Sequence, residues 1–297
     1  MTTLWICSPV FYDVKSFTEI RLRTLIEFNK LSDLGISQLR FVVADDSAGF
    51  DPEITKLKNH DDTEILTMPV NSGHQKAIVA ALRSIAGKVK STDFIVTMDG
   101  DGEDDPKDVS RLLGALQSNI GSQIVLAKRT TRSENFQFKV MYRFFRNFFN
   151  LMTGTKIISG NFALQTAKNL ERTIFRSSFD LCYSSSLVAL NPGLLYLPCA
   201  RSKRYEGQSK MNRYSLIAHG IRMLMPFWER ISVRLLVFAV MTFSITTSIS
   251  FVLFSFTNVD FIVIGFLQLL GLTLSLTTLL SSIVLFAVFS DVDKNRS

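Results

Sequence analysis

The chain has 297 residues, 47% of them hydrophobic, with a formal net charge of +7 and a mean hydropathy of +0.22. That length holds one large α/β domain plus an appendage, and that hydropathy is too high for an evenly composed soluble enzyme. A pI near 9.4 raises nucleic acid as a partner. No nucleic-acid motif accompanies it, and the acidic clusters at Asp45–Asp46 and Asp99–Asp105 argue against that class.

The apolar excess sits after Arg234, where charge nearly vanishes until Asp291. The basic charge therefore belongs to the rest of the chain. A basic portion beside apolar spans points to anionic lipid headgroups or phosphorylated ligands. Cys7, Cys182 and Cys199 have no metal-ligand spacing, and an odd count without a disulfide framework fits a reducing compartment.

The N-terminal stretch Met1–Pro9 has no basic n-region and too short an apolar run for a signal peptide. It reads as a first β-strand, so the main domain is expected not to be exported. Leu4–Ser8, Leu39–Ala44, Glu64–Met68, Asp93–Met98 and Gln123–Ala127 read as buried strands. Helical patterns lie between them at Val14–Leu34, Gly73–Ala86 and Pro106–Ser118. This alternation predicts a mostly parallel sheet covered on both faces. Such sheets bind ligands beyond the carboxyl ends of their strands. Attention falls on Pro9–Asp13, Asp45–Ser47, Asn71–Lys76 and Asp99–Asp105.

Phe136–Met152 is aromatic and basic. It reads either as a core helix with a solvated edge or as a helix that dips toward a membrane surface or lines an acceptor site. Gly160–Gln165 reads as a strand, Phe179–Leu190 as a helix, Leu194–Pro198 as a strand and Arg201–Lys210 as a basic loop. Arg213–Ile231 is amphipathic and suits the plane of a membrane interface, with Pro226 predicted to break or kink it. Leu235–Phe256 and Phe261–Ser290 carry no charge, and each is long enough to cross about 30 Å of hydrocarbon. Only 257–260 separate them, so they form a hairpin. Arg230 and Arg234 precede the pair, Lys294 and Arg296 follow it, and the connection has no Lys or Arg. The positive-inside rule then puts both outer ends in the cytoplasm.

The strongest chemical signal is the run Asp93–Pro106, in which a buried strand ends in Asp99, Asp101, Glu103 and Asp104. Carboxylates gathered at one strand end repel one another and call for a cation. Hard oxygen ligands suit Mg²⁺ or Mn²⁺ bridging to phosphate oxygens. An EF-hand loop fails on spacing, since its distal Glu is absent and Pro106 follows at once. A helix N-cap accounts for Asp104 and Asp105, whereas Asp99 and Asp101 sit too early for that job. Asp45 and Asp46 can accept a hydrogen bond from a nucleobase or ribose, although Asp-Asp-Ser is also a common turn.

Taken in order, Pro9-Val-Phe-Tyr-Asp13, Asp45-Asp46-Ser47, Asn71-Ser-Gly73-His-Gln-Lys-Ala77 and Asp99-Gly-Asp101 resemble glycosyltransferase family 2, which has the GT-A fold. Arg204-Tyr-Glu-Gly207-Gln-Ser209-Lys210 resembles a segment of that family's polyprenyl-phosphate glycosyltransferase branch, which includes dolichol-phosphate mannose synthases. A C-terminal hairpin is the usual anchor there. The resemblance implies that Asp45 and Asp46 contact base and ribose with Pro9 and Phe11, and that Asp13, Gly73, Lys76 and Gly100 belong to the donor site. Asp99 and Asp101 would meet ribose and metal, and Glu103 would lie near the metal and the acceptor phosphate. Arg129 would face phosphates. Arg204, Ser209 and Lys210 would close over diphosphate and acceptor phosphate, where a guanidinium offers two donors and an ammonium a point charge. A basic loop that only holds lipid headgroups remains the other reading of 201–210.

Two departures stand out. Tyr12 occupies a position where relatives often have Asn. Asn161, in Gly160-Asn-Phe-Ala-Leu164, stands where relatives often carry an Asp that serves as base or orients the acceptor. Asn161 cannot take a proton, which matters for a hydroxyl acceptor and less for an anionic phosphate. His74, beside the diphosphate loop, is read as a structural donor.

The sequence thus divides into a GT-A catalytic domain at 1–212, an interfacial helix at 213–233, a transmembrane hairpin at 234–290 and a cytoplasmic tail at 291–297. The expected function is inverting sugar transfer from a nucleotide-diphospho-sugar to a polyprenyl phosphate, with membrane lipids and a second copy of the chain as further partners. Transfer to a glycan or glycolipid hydroxyl and a catalytically idle nucleotide-sugar-binding subunit are the alternatives.

Overall fold

A computed structural model of the chain describes residues 1–129, 136–156, 159–190, 193–202, 204–205, 213–256 and 260–294. It divides into two compact units. One comprises 1–141 and 157–226, and the other 142–156 and 227–297.

The first unit is built on one seven-stranded sheet: β1 (Thr3–Val10), β2 (Gln38–Asp45), β3 (Thr63–Thr67), β4 (Phe94–Thr97), β5 (Ile124–Arg129), β6 (Ser159–Thr166) and β7 (Leu195–Cys199). The order is β3-β2-β1-β4-β6-β5-β7. β6 runs antiparallel to β4 and β5, and the other pairs are parallel. The register sets Val10 beside Asp45 and Cys7 beside Thr97. The carboxyl ends of β1, β2 and β4 therefore lie side by side, and the polar segments that follow them share one rim.

Alternate residues of β1 feed two cores. Leu4 and Ile6 join Phe17, Phe41, Val96, Leu112 and Leu113 on one face. Trp5 and Cys7 join Val42, Ala77, Ile78, Leu82 and Ile95 on the other. Helices α1 (Val14–Ile26), α2 (Phe28–Asp33) and α4 (Lys107–Gln117) cover the first face, and α3 (His74–Ile85), α6 (Ala167–Thr173), α7 (Ser178–Leu181) and α8 (Tyr183–Leu190) cover the second. Burial on both faces is why the strands read as continuous apolar runs.

All seven predicted strands are present, with ends shifted by a residue or two. The expected helix at Val14–Leu34 is interrupted at Glu27, and the one at Phe179–Leu190 at Cys182, whose backbone is extended. Helix α6 and a 3₁₀ helix at Pro52–Asn59 were not anticipated. The latter is set by Pro52 at its start and by Asp51, whose side chain accepts from the Glu53 amide.

Helix α5 (Phe136–Thr153) begins in the first unit and ends in the second. Helix α9 (Arg213–Leu224) ends in a 3₁₀ turn at Met225–Phe227 that contains Pro226, the expected breaker. In the second unit, α10 (Trp228–Phe256) and α11 (Phe261–Lys294) pack as a hairpin. Both are long and apolar enough to cross a membrane, and little of their apolar surface is buried. Their seam is small and hydroxylated: Ser275 Oγ donates to the Ala239 carbonyl and Ser282 Oγ to the Ser232 carbonyl, both at 2.8 Å. A Cβ on Gly271 would collide with Thr246, so the helices approach closely there. The α5 end belongs to the same unit. Phe149 is buried edge-on against Phe227, and Arg234 donates to the Leu151 carbonyl at the helix C-terminus.

Asp93 holds the start of β1 to the start of β4. Its buried carboxylate accepts from the Thr3 amide at 2.9 Å, the Lys90 amide at 2.9 Å and the Trp5 indole at 3.2 Å. Asp93→Ala leaves these donors without their acceptor, and a loss of about 3 kcal/mol or more is expected. Chemical denaturation of the full chain in detergent measures it, and a loss below about 1 kcal/mol contradicts the account.

Candidate active site

The rim beyond β1, β2 and β4 collects three short segments. After β2, both oxygens of Asp45 are engaged within their own turn. Oδ1 accepts from the Ser47 amide at 3.0 Å and its hydroxyl at 2.5 Å, and Oδ2 accepts from the Gly49 amide at 3.1 Å. Asp46 reaches across to the loop before α3. It accepts from the Ser72 amide at 2.7 Å and the Gly73 amide at 3.0 Å. Burial raises the Asp46 carboxyl above its ordinary value, against the pull of those two amides. Pro9 is buried at the end of β1, Phe11 and Asp13 are half-buried, and Lys76 is exposed on the first turn of α3.

After β4 the chain turns tightly. A Cβ on Gly100 would lie 2.6 Å from the Pro9 carbonyl oxygen, and one on Gly102 would overlap the Tyr205 ring. Glycine at both places lets the acidic loop lie against β1 and beneath Tyr205. Carboxylate oxygens of Asp99, Asp101 and Glu103 fall within 4.8 Å of one another. Asp104 accepts from the Asp99 amide at 3.0 Å and Asp105 from the Lys107 amide at 3.1 Å, so these two serve the turn and the start of α4. Burial and then the neighbouring Asp99 push the Asp101 carboxyl up, only partly offset by the Glu103 amide and Arg204.

Residues 201–202 and 204–205 are stitched onto this loop. The Ser202 amide donates to the Glu103 carbonyl at 2.9 Å, and the Tyr205 amide to the Asp101 carbonyl at 3.1 Å. Arg204 pairs with Asp101 at 2.7 Å and with Glu103 at 3.2 Å, and Arg201 also pairs with Glu103. Burial opposes the charge on Arg204, but Asp101 and Glu103 raise its pKa on balance. The Arg23 guanidinium lies 4.7 Å from the centre of the Tyr205 ring.

On the other side of Asp99 sits a polar cluster. His74 Nε2 is 2.9 Å from Asp99 Oδ1 and 2.7 Å from Asn161 Nδ2. It can donate to the first or accept from the second, but not both at once. Desolvation opposes charge on this partly exposed ring, yet Asp99, with Asp101 and Asp104 behind it, raises the pKa of His74.

Residues 14–175 match the family model described as Glycosyl transferase family 2, more than half of the chain. The chain belongs to glycosyltransferase family 2. No protein among those curated for function matches the sequence. Among solved structures, it is similar to glucosyl-3-phosphoglycerate synthase from Mycobacterium tuberculosis in complex with Mn²⁺, UDP and phosphoglyceric acid. The identity is 16% over 77% of this chain and 78% of that one, with a TM-score of 0.48. It is also similar to residues 1–349 of S. aureus TarS, at 14% identity over 95% of this chain and 72% of that one, with a TM-score of 0.43.

In this family 2 glycosyltransferase, the geometry brings together Asp99, Asp101, Glu103 and Arg204 from the expected set. Pro9 and Gly100 touch where the strand ends meet, and Asp46 and Gly73 are joined by a hydrogen bond. Ser209, Lys210 and the side chain of Arg129 lie outside the described residues. Sequence reasoning took Arg201 only as part of a basic loop, left His74 as a structural donor and passed over Gln75. No local motif marks these three, because most of their partners lie far away in the chain, Asn161 and Tyr183 for the α3 residues and Glu103 for Arg201. The expected interfacial pattern at Arg213–Ile231 corresponds to α9, the Pro226 turn and the first residues of α10.

Asp46→Asn keeps an acceptor for one loop amide and turns an NH₂ toward the other. The turn at 71–73 is expected to loosen, with amide exchange of Ser72 and Gly73 accelerated by about tenfold or more, in line with a lost charge-assisted hydrogen bond of about 1.5–3 kcal/mol. Hydrogen-exchange mass spectrometry reads this. Unchanged protection of that peptide contradicts the clamp.

Proposed function

We propose that this family 2 enzyme is an inverting transferase. It moves a sugar from a nucleotide-diphospho-sugar to a polyprenyl phosphate at the cytoplasmic leaflet of the membrane that α10 and α11 cross. The observation that carries the donor half is the carboxylate cluster at the end of β4, with two arginines paired to it. Three mutually close, mostly buried carboxylate oxygens form a hard donor set that fits Mg²⁺ or Mn²⁺. Asp99, Asp101 and Glu103 would hold that cation, which supplies positive charge to a departing diphosphate. The rim of β1 and β2, with Pro9, Phe11, Asp13, Asp45 and Asp46, is the place for the nucleoside. The loop fixed by Asp46, with Gly73 and Lys76, is the place for the diphosphate. Arg204, already set at the cluster, is positioned to meet phosphate oxygens, with Ser209, Lys210 and Arg129 as further candidates for that charge.

Asn161 supports the acceptor reading. Its amide is engaged by Gln75, His74 and Asp99, at 2.7, 2.7 and 3.2 Å, and offers no base to a hydroxyl. A lipid phosphate arrives ionised and needs positive charge instead. The membrane half rests on exposure and charge. Val240, Phe251, Phe266 and Leu269 point outward on the hairpin, and Phe144, Phe148 and Leu151 form an exposed apolar stripe on α5. That stripe favours contact with a membrane surface over the core-helix reading. Lys and Arg flank the hairpin's outer ends and are missing from its connection.

Asp101→Asn tests the cation. It relieves repulsion, so the fold is expected to survive, while transfer falls by about 100-fold or more and EDTA stops the native enzyme. Because the Asp101 pKa is raised, the proton competes with the cation at higher pH than for an ordinary aspartate. Mn²⁺ affinity is therefore expected to weaken early on acidification. Wild-type turnover by the variant, or activity indifferent to EDTA, contradicts the assignment.

The acceptor is tested by transfer of radiolabelled sugar into the lipid phase. Activity is expected with undecaprenyl or dolichyl phosphate and not with the free alcohol. Arg204→Ala should raise KM for the lipid phosphate by about tenfold or more, and Asn161→Asp should bring no gain. Transfer only to a soluble oligosaccharide overturns the lipid-phosphate reading and leaves the cation site standing.

A further inference from the structure

Gln75 is the second residue of α3, and its side chain links two elements that the catalytic reading leaves separate. The interruption at Cys182 leaves the first amides of α8 facing it. Its Oε1 accepts from the Tyr183 amide at 2.9 Å and the Ser184 amide at 3.4 Å. Backbone amides only donate, so they decide which end of Gln75 is oxygen. Its Nε2 then faces Asn161 and donates to Oδ1 at 2.7 Å. That donor decides in turn which end of Asn161 is oxygen, and Asn161 Nδ2 is left facing Asp99 Oδ1, to which it donates at 3.2 Å, and His74 Nε2 at 2.7 Å. Each orientation follows from the one before, starting from a helix backbone.

We propose that Gln75 is a positioning residue for the cation-binding carboxylate of Asp99, acting through Asn161. This rests on the reading of Asp99 as a cation ligand. The relay delivers an N–H to one oxygen of Asp99, which restricts rotation of the carboxylate and fixes which of its lone pairs face the cluster. Partners behind a metal ligand commonly set metal affinity by about 10- to 100-fold. The relay also explains why an amide serves at 161. An aspartate there would satisfy Gln75 equally well but turn a second carboxylate oxygen toward Asp99.

Gln75→Glu separates this role from a structural one. Its first oxygen still accepts the Tyr183 and Ser184 amides, so the start of α8 keeps its cap. Its second atom becomes an acceptor, Asn161 must turn over to donate to it, and Asn161 then presents its carbonyl to Asp99. The probe is Mn²⁺ alone, titrated at pH 8 into the full chain in detergent and followed by the electron paramagnetic resonance of the free ion. Gln75→Met, neutral and of similar volume, is the second variant, and Asp99→Asn is the control for the cation site. Both Gln75 variants are expected to weaken Mn²⁺ binding by about tenfold or more, with Asp99→Asn abolishing it. An added carboxylate would by charge alone tighten binding, so weaker binding by Gln75→Glu reports the relay. If Gln75→Glu binds Mn²⁺ as tightly as the native chain or more so, while Asp99→Asn abolishes binding, the relay is overturned and the cation site stands. If that variant does not fold, an unchanged affinity in Gln75→Met overturns it equally. If Asp99→Asn leaves Mn²⁺ binding intact, or the native chain binds none, the cation reading falls and the proposal falls with it.

Discussion

Like charges held close together are the constraint around which the catalytic rim is built. Asp99, Asp101 and Glu103 bring carboxylate oxygens within 4.8 Å of one another in a mostly buried loop. At an effective dielectric near 20, each such pair costs on the order of a few kcal/mol. The neighbouring features read as responses to that cost. Arg201 and Arg204 bring positive charge from a segment about a hundred residues away, pinned by the Ser202 and Tyr205 amides. Asn161 turns a donor toward Asp99, and Asp104 accepts the Asp99 amide. The proton also responds, through the raised pKa of Asp101. A chain that concentrates charge at one strand end against this resistance is suited to bind something strongly positive there.

The second unit is organised by the opposite problem. Its helices bury little of their apolar surface in the protein, and their backbone polar groups are satisfied along each helix. What holds the pair together is close approach at Gly271 and side-chain hydroxyls that donate to the facing carbonyls. Arg230 and Arg234 at the start of the hairpin are spent on the end of α5 and the turn after it, on the Thr155 hydroxyl and the Leu151 carbonyl. An aromatic helix distant in sequence is in this way made part of the base of the hairpin.

The sheet was legible because its central strands are buried on both faces and so appear as short apolar runs, while the half-buried edge strands β3 and β7 still carry apolar residues. The acidic loop was legible because its carboxylates are consecutive enough to be seen as a cluster. What could not be read were contacts whose two halves are far apart in the chain. Gln75 carries no signal by itself. Its meaning comes from the break at Cys182 and from Asn161, and neither is visible near it. Asp45 shows the converse. A strand-end acid reads equally as a ligand and as a turn residue, and the structure finds it bonded to its own turn. The helix breaks at Glu27 and Cys182 were hidden because the apolar periodicity continues across them.

The central claim is that the cluster at the end of β4 is a divalent-cation site. Anomalous diffraction from crystals of the full chain grown with saturating Mn²⁺ tests it most directly. The account predicts one strong peak within coordination distance of oxygens from at least two of Asp99, Asp101 and Glu103. A peak elsewhere in the protein, or no peak there while Arg201 and Arg204 stay paired with the carboxylates, would contradict it.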